Sequence, residues 1–193
     1  MISVKKYDNI PVNTKDILRY MSCPEPDMQT DRLIKDCLFE CSGKFKYMLC
    51  FDKFPVSVSE YTIRFPFAEA DSVSLSRHLS GFSEAVVFAA TVGIELDRLI
   101  MKYSRLSPSR ALCFQAIGAE RIEALCDLFC RELKSDFSIT SPRFSPGYGD
   151  FSLYFQKELF KALDCPRKIG LSLNSALLMS PSKSVTAIIG VKQ

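Results

Sequence analysis

The segment from Arg143 to Asp150 reads R-F-S-P-G-Y-G-D and gathers an arginine, a tyrosine and an aspartate on one short stretch of chain. A proline with a fixed φ, Pro146, and two permissive glycines, Gly147 and Gly149, bend that stretch into a compact loop. The guanidinium offers a planar fork to a carboxylate or phosphate, and the phenol offers a ring face to a cation together with a hydroxyl donor. The pair suits a zwitterionic or cationic ligand. A plainer reading has Pro146, Gly147 and Gly149 merely turning the chain while Arg143 pairs with a nearby carboxylate. The residues alone leave both open.

Other chemistries find less support. The single histidine, His78, lies in S-R-H-L-S with no carboxylate or cysteine at ligand spacing, so a surface or packing role is expected and a histidine-based triad is not. Cys37 and Cys41 are one helical turn apart, as are Cys126 and Cys130, and four thiols could hold zinc or an iron–sulfur cluster. Metal sites usually show tighter Cys-x-x-Cys knuckles, however, and thiols beside Leu and Phe on helix faces serve more often as small core residues. Neither G-x-G-x-x-G nor G-x-x-x-x-G-K-[ST] is present, so the common phosphate-cradling loops are absent. The 25 Lys and Arg against 22 Asp and Glu leave a net charge of +3, too weak a field to favour nucleic acid.

The start of the sequence has no apolar run of signal-peptide length, and the most apolar stretch, Ala85 to Val92, is too short to cross a membrane. The expectation is a cytoplasmic protein, with no membrane partner and with its eight cysteines reduced and mostly buried.

The elements that must position the loop follow from periodicity. A helix starts with Thr14 as its capping residue and ends before Pro24 and Pro26. A second runs from Met28 to Ser42, with Leu33, Cys37, Leu38 and Cys41 on one face, and Gly43 stops it. Between Lys44 and Phe67 the period changes to two, through Phe45, Tyr47, Leu49 and Phe51 and again through Tyr61, Ile63, Phe65 and Phe67, which predicts strands. Glu84 to Val92 reads as a central strand covered on both faces.

After Gly93, Leu96, Leu99 and Ile100 mark a helix over Glu95–Tyr103. A longer helix from Ser107 to about Leu133 carries Leu112, Ile117, Ile122, Leu125, Phe129 and Leu133, interrupted by Gly118, and should be the spine of the core. A helix over Leu153–Leu163, a turn at Asp164–Pro166 and a strand over Val185–Val191 complete the chain. Strands and helices come in blocks without regular alternation. That argues for an α+β fold, a twisted and mainly antiparallel sheet flanked by helices, in one domain whose first 43 or so residues are helical. A chain of 193 residues with 47% hydrophobic residues can remove roughly 70% of its unfolded surface from water, enough for such a core.

The loop block, followed by K-I-G-L-S-L-N-S-A-L-L-M-S-P-S-K-S-V from Lys168 to Val185, resembles the signature blocks of the activation domain of cobalamin-dependent methionine synthase, in a short stand-alone form. The family pattern of Arg, three residues, then Gly-Tyr is met by Arg143, Gly147 and Tyr148. Ile169-Gly170, Leu173, Met179, Pro181 and Ser184-Val185 resemble the family's closing sequence. Upstream, Ala89–Arg98 and Ala116–Leu125 look like the short members, and the C-terminal half carries the identification.

The resemblance implies that S-adenosylmethionine is bound by Glu123, Arg143 and Tyr148, with Ser145, Pro146, Gly147 and Asp150 counted in the same site. Without it, Glu123 reads as a solvated helix charge; Pro181, Lys183 and Ser184 are expected to form a turn before the last strand even with it. A second acidic contact of the family has no clear match, since Phe137 falls near its place and Asp136 is only adjacent.

The implied activity is reductive methylation. A cob(II)alamin takes an electron from a flavodoxin- or ferredoxin-like donor, and the cob(I)alamin so formed attacks the sulfonium methyl. The protein supplies no catalytic nucleophile. It should instead present a shallow open groove, with Tyr148 between the nucleoside ligand and the corrin face.

The corrinoid-binding Asp-x-His-x-x-Gly signature is absent, so cobalamin is expected on another chain. That chain would be a methionine synthase lacking its own activation domain, or another corrinoid protein. The alternative is a docking or regulatory module for a corrinoid methyltransferase that delivers no methyl group.

Overall fold

The computed structural model describes residues 1–193. In chain order the elements are β1 (Ser3–Tyr7), α1 (Thr14–Tyr20), α2 (Met28–Cys41), β2 (Tyr47–Pro55), β3 (Ser57–Val58), β4 (Thr62–Phe65), β5 (Ala68–Asp71), α3 (Val73–His78) and β6 (Glu84–Thr91). There follow α4 (Glu95–Leu106), α5 (Pro108–Asp136), β7 (Ile139–Thr140), a 3-10 turn (Leu153–Phe155), α6 (Gln156–Leu163), α7 (Cys165–Ile169), β8 (Ser172–Leu173), β9 (Met179–Ser180) and β10 (Ser184–Lys192).

The main sheet has the order β1-β2-β6-β10-β7, antiparallel throughout, with β6 in the middle. Its side chains are buried on both faces, which is why its sequence lacks alternation. Ala85, Val87 and Ala89 join Leu159, Leu163 and Ile169 from α6 and α7 and Ile63 and Phe65 from β4. Val86, Phe88 and Ala90 meet Leu125 and Phe129 of α5 on the opposite side. The Phe88 and Phe129 rings lie 5.1 Å apart, edge to face. Each fully buried Val, Leu, Ile or Phe side chain among these stabilises the fold by roughly 1.5–3 kcal/mol. The N-terminal half of α5 packs with α1, α2 and α4 in a third cluster around Ile17, Ile34, Leu96, Phe114 and Ile117.

Four expectations are corrected. The N-terminal segment is not wholly helical: Ser3–Tyr7 forms an edge strand on β2, too short and polar to signal itself. The cap of α1 is Asn13, whose side chain accepts from the Lys15 backbone N–H, rather than Thr14. The run Tyr61 to Phe67 is not one strand, because the chain turns at Pro66 and Phe67 into the β4–β5 hairpin and leaves Tyr61 exposed. Leu112 is 49% exposed, since the inward positions on that turn of α5 belong to Cys113 and Phe114. Gly118 is explained by close approach: a Cβ there would come within 2.4 Å of Leu96 Cδ2 and 2.8 Å of Lys183 Cγ.

A buried ion pair fastens the N-terminal segment to α5. Glu120 and Arg121 are 2% and 1% exposed. The Arg121 guanidinium donates to its neighbour's carboxylate, to the Ile10 carbonyl (2.6 Å) and to the Pro11 carbonyl (2.6 Å), while Glu120 accepts the Asn13 N–H at 3.0 Å. Removing one partner leaves the other charge buried. Arg121→Leu should therefore destabilise the protein by about 3–5 kcal/mol in urea unfolding, and Glu120→Leu with Arg121→Leu should cost less than the single change. A double variant as unstable as the single one would show that the backbone bonds, and not the stranded charge, set the cost.

The end of the Arg143–Asp150 loop is fixed on α3. Asp150 accepts from Ser72 Oγ (2.6 Å) and from the backbone N–H groups of Val73 (2.8 Å) and Ser74 (3.0 Å), the otherwise unpaired donors of that helix's first turn. The Ser72 hydroxyl and these backbone donors hold its carboxyl well below the usual carboxylate range. A depressed folded-state pKa contributes stability above the unfolded value of 3.8 that is lost as pH falls through the folded value. Asp150→Ala should therefore lower the melting temperature at neutral pH, with the difference from wild type shrinking below pH 3.8.

Candidate functional site

Arg143 enters the loop from the sheet. Phe144 exchanges both backbone hydrogen bonds with Ile188 of β10 (3.0 and 2.9 Å), which sets the loop against the sheet's edge. The preceding turn is held by His78, whose Nε2 donates to the Pro142 carbonyl at 2.8 Å and whose ring lies 4.8 Å from that of Phe144. Burial pushes the His78 pKa down, so the ring is neutral at pH 7 and acts as a packing group with one donor. The loop then closes on itself: Gly147 N–H donates to Phe151 O (2.8 Å) and Phe151 N–H to Tyr148 O (3.0 Å).

Two positive φ values make the glycines necessary. Gly147 stands at +93° and Gly149 at +56°, where a Cβ would also come within 2.5 Å of Ser74 Oγ.

So held, Arg143 reaches α5. Its Nη2 lies 2.9 Å from Glu123 Oε2 and 2.9 Å from Asp127 Oδ1, carboxylates one helical turn apart. Two carboxylates against one guanidinium leave a formal charge of −1. The Arg143 side chain is 23% exposed, whereas those of Glu123 and Asp127 are 43% and 58% exposed, so the cluster sits at a surface opening. Beneath it Cys126 is a neutral thiol, its pKa pushed up to about 12 by burial.

The opening is a cavity of about 440 Å³. Glu123, Arg143, Ser145, Pro146 and Tyr148 all line it. Tyr148 is 60% exposed at its lip. The second signature block arrives at the same place, because β9 and β10 bring Met179, Ser184 and Val185 to the wall. Ser184 thus does more than turn the chain, although its hydroxyl also donates to the Pro181 carbonyl at 2.8 Å.

Two of the expected site residues are placed differently. Asp150 is turned away, with its oxygens committed to the α3 cap, so it is not a wall residue. Gly147 acts through its turn and does not itself line the cavity.

Sequence reasoning missed Asp127, although its spacing of four from Glu123 on a predicted helix was a usable signal. It also missed Gln156, the first residue of α6, and Thr186 of β10, both in the wall. Gln156 is 3% exposed, and its Nε2 has no hydrogen-bond partner. An unpaired buried amide donor costs roughly 1–3 kcal/mol.

The cysteines are spread over several elements. All eight are free, and no three His, Cys, Asp or Glu gather at ligating distance. Cys37 and Cys41 belong to the helical cluster of α1, α2 and α4, and Cys126 to the α5 face beneath the sheet. No helix is long and apolar enough to cross a membrane.

No family model matches the chain, and no curated protein matches it. Among solved structures, the crystal structure of the MetH reactivation domain bound to AdoHcy superposes on it with a TM-score of 0.75 at 14% identity, over 99% of this chain and 78% of that one. The chain is an α+β protein with the fold of the MetH reactivation domain.

Proposed function

We propose that this protein binds S-adenosylmethionine in the Arg143–Tyr148 cavity and supports reductive methylation, and hence reactivation, of a corrinoid carried by a partner. The observation that carries the reading is the convergence of Arg143, Glu123 and Tyr148 on one open cavity, in a fold shared with a reactivation domain that binds AdoHcy.

The donor set fits such a ligand. Both ion pairs of Arg143 use Nη2, which leaves the opposite edge of the guanidinium for the ligand's carboxylate. Glu123 then faces its ammonium and sulfonium, and the formal charge of −1 on the Arg143, Glu123 and Asp127 cluster favours a cation. Pro146, Leu153, Met179 and Val185 give apolar walls to the nucleoside, and the unpaired Gln156 amide awaits a partner.

When bound, S-adenosylmethionine supplies an electrophilic methyl on sulfur, and the partner's corrinoid supplies the cobalt that accepts it. The chain's own residues position. Arg143 and the two carboxylates fix the amino-acid end, and Tyr148 at the lip separates the nucleoside from the approaching corrin. Placement of this kind contributes roughly 7–11 kcal/mol to a bimolecular step. In this reading the partner is a methionine synthase lacking its own activation domain or another corrinoid protein. A flavodoxin- or ferredoxin-like donor supplies the electron, in the cytoplasm.

Calorimetric titration tests the reading. Wild type should bind S-adenosylmethionine, and Arg143→Ala should weaken binding by roughly 1.5–3 kcal/mol, the scale of a hydrogen bond to a charged group. A wild-type protein that binds none would favour the docking module instead. The charge argument has its own check. Glu123→Gln should weaken S-adenosylmethionine more than S-adenosylhomocysteine, because only the former carries the sulfonium; equal losses would contradict it.

A further inference from the structure

We infer that Gln156 is a ligand-reading residue of this cavity, whose carboxamide hydrogen-bonds the edge of an adenine ring. The inference rests on the binding reading above and adds the group that recognises the base. Gln156 opens α6 directly after the 3-10 turn and sits among Phe155, Leu159 and Phe160, all buried. Packing alone would be met at lower cost by a leucine or methionine of similar volume, since an amide so buried must leave water. Yet its Nε2 has no protein partner, and the side chain forms part of the cavity wall. The missing partner is therefore sought in whatever fills the cavity.

The chemistry of that partner is constrained. A carboxamide presents a donor and an acceptor side by side, and an adenine edge presents an N–H donor beside a ring-nitrogen acceptor, so the two pair through two hydrogen bonds. A carboxylate or an ammonium would answer only half of the amide. Those groups already have their complements in Arg143 and Glu123. Pro146, Leu153 and Met179 line the same cavity and can cover the faces of a flat heterocycle.

The test uses S-adenosylhomocysteine and its analogue lacking the 6-amino group, titrated into wild type and Gln156→Leu. Wild type should prefer the amino compound by roughly tenfold, and Gln156→Leu should bind it about tenfold more weakly while treating the two alike. Without ligand, the variant should melt at or above the wild-type temperature, because an unpaired buried amide has been removed. Three results would overturn the inference. They are undiminished binding and preference in the variant, a lowered melting temperature that marks Gln156 as a structural bonding residue, or equal binding of both compounds by wild type. The last needs no variant and stands even if Gln156→Leu does not fold. If wild type binds neither compound, the binding reading fails with it; if it binds both equally, only the role of Gln156 is lost.

Discussion

A strand that is apolar on both faces must be covered twice, and β6 imposes that requirement on the rest of the chain. One cover is α5, which at 29 residues runs roughly 43 Å and is long enough to serve both the sheet and the N-terminal helices. The other cover begins with the β4–β5 hairpin, ahead of α5 in the chain, and is completed after it by α6 and α7. The chain must therefore pass from the α5 side of the sheet to the α6 side. It does so through the Arg143–Asp150 loop, along the edge of β10. The cavity lies at this passage because there two covering layers and a strand edge meet without closing over one another.

The loop divides its work along its length. Its first residue turns back to α5 through the ion pairs with Glu123 and Asp127, and its last reaches α3 and satisfies that helix's first N–H groups. Phe144 is bonded to β10 between them, and Gly147 and Gly149 absorb the sharp changes of direction. A loop tied to three elements presents Arg143 and Tyr148 without further ordering, so little conformational entropy remains to be lost on binding. The same ties explain why one short motif holds both wall residues and a purely architectural aspartate.

Much of this was legible in the sequence wherever one rule dominated. The continuous apolar run of β6, the long stripe of α5 and the double bend of the loop each follow from periodicity or from φ, and each lies where those rules put it. Legibility failed where a contact across the fold decided the outcome. Asp150 is chemically a good ligand for a cation, but three donors at the start of α3 claim it, and nothing local announces them. Leu112 fits the helical stripe, yet Cys113 and Phe114 take the inward positions on that turn of α5 and leave it exposed. Gln156 reads as an ordinary polar residue at a helix start, and only the layers around it make it a buried amide.

The two charged clusters on α5 differ in what they leave available to water. Glu120 and Arg121 are fully withdrawn from water and saturated by backbone partners, so they hold the N-terminal segment whether or not a ligand is present. Glu123 and Asp127, further along the same helix, keep much of their surface in water and share a single guanidinium. The first arrangement is costly to break and has nothing left to offer. The second keeps an unbalanced charge beside an open cavity, where a cation adds attraction without dismantling the bonds that set the loop. Because the fold is secured elsewhere, the exposed cluster can exchange partners at its free edge while the protein stays folded.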